Sequence, residues 1–92
     1  MWEDLEVLQG DPLQKWREIV FHANRNIAEK QLDLLLTRVA IVEKILQEAD
    51  LEERYSKLRR QLGGDQELQS EIHARKVDLA IESMASILSE NE

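Results

Sequence analysis

The sequence predicts an all-α fold: an elongated helical hairpin or bundle of three main helices, at about 12–49, 51–62 and 66–89, completed by dimerisation. Composition is the first reason. Of 92 residues 34% are charged and 4% aromatic, with three glycines and one proline, so good helix formers dominate while strand-favouring aromatics and turn formers are scarce. The second reason is apolar periodicity at three- and four-residue steps along most of the chain. The third is a set of helix start and stop signals near Pro12, Asp50 and Gly63-Gly64. An all-β domain is excluded, and a hydrophobic fraction of 42% supports one core in a single domain spanning 1–92.

Each element has its own signal. Residues 1–11 carry Trp2, Leu5 and Leu8 at helical spacing before Gly10 and are expected to form a short helix or docking arm. Asp11 is placed to cap and Pro12 to occupy the first helical turn, where its missing N–H costs nothing. From there to Gly63 no Gly or Pro intervenes. One apolar face runs through Leu13, Trp16, Val20, Ala23, Ile27, Leu34, Ile41 and Ile45. A second seam opens at Ala28 and continues through Leu32, Leu35, Val39, Val42, Leu46 and Ala49, alternating steps of four and three as interdigitating helices do. After Ala49 the phase jumps to Leu51, Tyr55, Leu58 and Leu62. Asp50-Leu51-Glu52-Glu53 reads as a capping box, with Asp50 accepting from the third backbone N–H. Gly63-Gly64 is expected to stop the helix through a left-handed residue, and Asp65 to cap the last one. That helix should bury a stripe of Ala74, Val77, Ile81, Met84 and Leu88, flanked by Leu68, Ile72 and Leu79.

Length then argues for a partner. A helix over 12–49 would measure about 57 Å at 1.5 Å per residue, whereas a compact chain of this size has a radius of gyration near 12 Å. Either the helix bends near Asn24 or Asn26, or a second copy covers the overhang. The later helices are expected to cover the first face. The second seam is assigned to a homodimer or another protein, with Leu32, Leu35, Val39, Val42 and Leu46 as interface candidates. Trp16 is expected to be a core anchor. Trp2 either fills a gap in the bundle or joins the interface.

Charge and residue inventory exclude several functions. The net charge is −7, divided as −4 over 1–12, +1 over 13–49, +1 over 50–62 and −5 over 63–92. Such a chain repels phosphates and anionic membranes at long range. Its basic cluster, Arg54, Lys57, Arg59 and Arg60, spreads round a helix beside Glu52 and Glu53. With no cysteine there is no disulfide, thiolate nucleophile or Cys-based zinc site. The acidic start, the cysteine count and the lack of a long apolar run predict a soluble cytoplasmic protein with neither nucleic-acid nor membrane binding.

Catalytic constellations are missing from the pattern. Helical di-metal sites use Glu-x-x-His, but His22 follows Glu18 by four residues and His73 follows Glu71 by two. A solvated Glu18–His22 pair is expected instead. The Glu-x-x-Glu of magnesium-dependent pyrophosphatases is met by Glu3 and Glu6, but Glu29 and Asp33 are four apart, so the second half fails. Ser83, Ser86 and Ser89 have no nearby histidine or strained elbow and read as small exposed residues, and Gly63-Gly64 lacks the Lys-Ser or Lys-Thr of a phosphate loop. No enzyme activity, cofactor or metal is expected. The function expected is a non-enzymatic protein–protein interaction module of the adaptor, co-chaperone or assembly-factor type, acting through helix packing. The alternative is an acidic regulator that occupies a partner's nucleic-acid-binding site, or a helix-turn-helix-like regulator.

Overall fold

The computed structural model describes residues 11–90; Trp2 and the arm preceding Asp11 lie outside them. The described residues are all-helical, with four helices: α1 Pro12–His22, α2 Arg25–Glu48, α3 Glu52–Gln61 and α4 Gln66–Glu90. Asp11 and Pro12 act as expected, the Asp11 carboxylate accepting from the Leu13 N–H at 3.0 Å with proline in the first turn.

The helix expected over 12–49 is two helices. Ala23 and Asn24 are both extended, at ψ 156° and 140°. The Asn24 side chain accepts from the Asn26 N–H at 2.8 Å, starting α2 afresh. Asparagine makes this break without Gly or Pro because its side chain replaces a lost intrahelical acceptor.

Asp50 does not form a capping box. It sits in the left-handed region at φ 58°, where it closes α2: the Asp50 N–H donates to the Gln47 carbonyl at 3.2 Å and the Leu51 N–H to the Leu46 carbonyl at 2.8 Å. These two bonds satisfy carbonyls that a helix end leaves orphaned. The residue capping α3 is Leu51, which makes no side-chain cap bond. Neither Gly63 nor Gly64 is left-handed. Their N–H groups reach back to the Arg60 and Gln61 carbonyls at 3.4 and 3.1 Å, a tightening of the last turn that non-glycine residues also adopt. Asp65 does cap α4, accepting from the Leu68 N–H at 3.0 Å.

α1 packs along α4 more extensively than any other helix pair. α2 runs antiparallel to α4, with Lys30 paired to Glu90 and Arg38 to Glu82 at 3.7 Å. The elbow therefore lies at the C-terminal end of α4, and α1 runs beside α4 in the same direction. The buried apolar residues are Ala80, Met84 and Ile87, with Ile87 at 0% exposure. This corrects the expected stripe: Ala74, Ile81 and Leu88 are exposed and Val77 is half-buried. The reason is that α1 and the start of α2 converge on the C-terminal half of α4, and their meeting line passes over Ala80 and Ile87.

Two predictions follow from the helix ends. An L-residue in the left-handed region is strained relative to glycine by about 1 kcal/mol, so Asp50→Gly should exceed Asp50→Ala in stability by about that amount in chemical denaturation. At Asp65, the hydrogen bond from the Leu68 backbone and then that from the Gln61 side chain lower the carboxyl pKa from its ordinary 3.8. A depressed folded pKa gives stability that is present above the unfolded pKa and lost as pH falls through the folded one. Asp65→Asn should therefore flatten the stability–pH curve below 3.8, leaving the neutral arm's slope unchanged; an identical acid limb would contradict the cap's role.

Candidate functional site

The chain is open where a closed bundle would be packed. Its radius of gyration is 15.7 Å and its extents are 42 × 30 × 18 Å, against about 12 Å for a compact chain of this length. Among the described residues fifteen large apolar side chains are exposed while three apolar residues are buried. Eight of the fifteen lie on α2: Leu32, Leu34, Leu35, Leu36, Val39, Ile41, Val42 and Ile45.

Geometry explains the surplus. The polar contacts between α2 and α4 lie from Lys30 to Arg38, and α2 also contacts α3. The expectation that the chain's own helices cover the first face fails, since Leu34, Ile41 and Ile45 are exposed. Between α2, α3 and α4 lies a groove of about 600 Å³ lined by Leu35, Val39, Val42, Leu46, Tyr55 and Leu79, with Arg38, Glu43, Gln47, Glu52 and Ser56 around it. Four of the interface candidates, Leu35, Val39, Val42 and Leu46, thus share one concave surface. Leu32 is exposed on α2 but does not line the groove, and Trp2 lies outside the described residues. Leu36 at 71% and Phe21 at 79% are the most exposed of the large apolar side chains.

A polar chain lies at the junction of three helices. The Trp16 indole N–H donates to Ser83 Oγ at 2.9 Å, and the Ser83 hydroxyl donates to Gln31 Oε1 at 2.8 Å. Gln31 Nε2 donates to Ser86 Oγ at 3.2 Å. Trp16 is half-buried, as an anchor should be, and Gln31 is 6% exposed, the one buried residue of α2. Ser83 corrects the reading of the serines as small exposed residues, because it is half-buried between two partners. Nothing in the sequence marks Gln31 as buried, since a lone glutamine between two apolar seams names no partner for its amide.

The remaining candidates offer little chemistry. His22 Nδ1 donates to the Glu18 backbone carbonyl at 2.8 Å, so the expected carboxylate pairing gives way to a backbone bond. Among the described residues no cluster of three His, Cys, Asp or Glu could hold a metal, and no helix is long and apolar enough to cross a membrane. Arg54, Lys57, Arg59 and Arg60 are exposed on α3.

Trp16→Phe keeps the aromatic packing and removes only the indole N–H. It should destabilise by about 1 kcal/mol in urea denaturation; a value near zero would mean the Ser83 contact contributes nothing.

No curated protein matches the chain. A family model described as a domain of unknown function, DUF2018, matches residues 8–92, and the chain belongs to that family.

Proposed function

We propose that the chain is a cytoplasmic, non-enzymatic protein–protein interaction module that works by helix packing and completes its own fold by homodimerisation. The observation that carries this reading is the exposed apolar surface of α2 around the groove. Patches of that kind are uncommon on monomers and usually mark interfaces. The groove is concave, apolar at its floor and polar at its rim, which suits an amphipathic helix. A second copy supplies such helices in the same number as it supplies grooves. The two-fold pairing that results covers both apolar surfaces at once.

Sedimentation of the wild-type chain and of Val42→Glu tests this. Val42 lies in the groove and is 50% exposed, so a charge there burdens the isolated chain little but is buried twice in a two-fold dimer. The expected result is a wild-type dimer and a folded, helical Val42→Glu monomer, with the dissociation constant raised about 100-fold or more, as a loss of ~2.7 kcal/mol gives. A wild-type chain that stays monomeric at high micromolar concentration would overturn the reading, and a Val42→Glu dimer of unchanged affinity would remove the groove from it.

A further inference from the structure

α2 has no single face by which apolar packing alone could orient it. At 100° per residue its apolar positions run from Ile41 through Ile45 and Val42 round to Leu36, an arc of about 220°. Turning the helix one way would bring Leu34 and Ile41 onto α4, and turning it the other way would bring Leu32 and Val39. Sliding by one turn would also preserve apolar contact, because the seams repeat every three or four residues. Yet the α2 residue that is buried is the polar Gln31, near the middle of the arc.

Its amide is used at both ends. Ser83 and Ser86 lie three residues apart on α4, and Gln31 accepts from the first and donates to the second. Each serine hydroxyl can donate or accept, so the pair fixes where the amide lies along and around α4 whichever way its two ends point. The Trp16 indole fixes the Ser83 hydroxyl in turn, since by donating to its oxygen it directs the hydroxyl hydrogen towards Gln31. No buried side-chain polar atom among the described residues lacks a partner, and a shift of register would take from the buried Gln31 amide the two partners it has here. Gln31 and Ser83 also line a cavity of about 90 Å³ with Leu35, Arg38 and Leu79, three residues that line the larger groove. The network therefore stands at the groove's closed end, where the splay of α2 from α4 is set.

We propose that Gln31 is a register pin: its amide, held by Ser83 and Ser86 and braced by Trp16, fixes the rotation and axial position of α2 on α4 and so decides which apolar side chains face outward. A single buried polar group performs this task in coiled coils, where it selects one register at some cost in stability. The pin itself rests on the geometry of one chain. Only the use of the outward flanks by a second copy rests on the function proposed above.

The absence of cysteine allows the register to be read by cross-linking. Arg38→Cys with Glu82→Cys marks the native register, in which these residues form an ion pair, and Arg38→Cys with Asp78→Cys marks a register one turn away. A short bis-maleimide linker is applied to each, and the product of single-chain mass is quantified. The expected result is a strong preference for the native pair. Gln31→Leu should keep helical content and unfolding midpoint near wild type, because the freed Ser83 and Ser86 hydroxyls can bond carbonyls of their own helix. The ratio of native to shifted cross-link should fall about tenfold, the population change of ~1.4 kcal/mol. Ser86→Ala removes the Nε2 acceptor alone and should lower the ratio by a smaller factor. A ratio unchanged in Gln31→Leu would show that apolar packing sets the register and overturn the proposal. Unfolding of Gln31→Leu with an unchanged ratio in Ser86→Ala would do the same, while unfolding with a lowered Ser86→Ala ratio supports it. The readout concerns one chain, so a wild-type protein that fails to dimerise leaves this result standing on its own.

Discussion

The arrangement of the chain follows from a mismatch between the apolar surface of α2 and the helices available to cover it. α4 is a helix of 25 residues and α2 one of 24, but they touch over only part of their lengths, and α1 takes the remaining side of α4. α3 has only 10 residues. What is left is a long helix that carries apolar residues over more than half its circumference and is partnered on a fraction of it. Burial of one such side chain gains roughly 1.5–3 kcal/mol, so leaving eight of them wet is a large forfeited stabilisation for a small domain. The groove, the high radius of gyration and the sparse core are consequences of that one mismatch.

Much of this was legible in the sequence, for reasons tied to particular residues. Asp11-Pro12 and Asp65 announce helix starts because their side chains act locally, on N–H groups two and three residues ahead. The second seam of α2 was legible because periodicity reports which side chains share a face. Periodicity does not report which neighbour arrives, and that is where the reading departed from the fold. The α4 stripe was drawn through Ile81 and Leu88, whereas the neighbours converge on Ala80 and Ile87. The same blindness hid Gln31 and Ser83, whose roles exist only once α1, α2 and α4 meet. Asp50 shows a different limit: one short polar side chain serves either as an N-cap or as a left-handed C-cap, and the local sequence is compatible with both. The Ala23-Asn24 elbow is similar, since Asn24 caps a helix in a stretch whose apolar pattern continues through it.

The chain's histidines are exposed, its carboxylates form i,i+4 pairs at the surface such as Arg75 with Glu71 and Lys44 with Glu48, and such exposed pairs contribute little to stability. Among the described residues, the polar cluster built on the buried Gln31 joins helices to one another. On the proposed function, a few such polar contacts would supply specificity by rejecting wrong registers, and apolar area would supply affinity.

The central claim is that folding of this chain is completed by a second copy, and it is tested most directly by thermal unfolding followed by circular dichroism across a wide range of protein concentration. When the native state is a dimer, mass action makes the midpoint rise with concentration. The account predicts a midpoint that climbs steadily with the logarithm of chain concentration for the wild type. A sharp, cooperative transition at the same temperature throughout that range would contradict it.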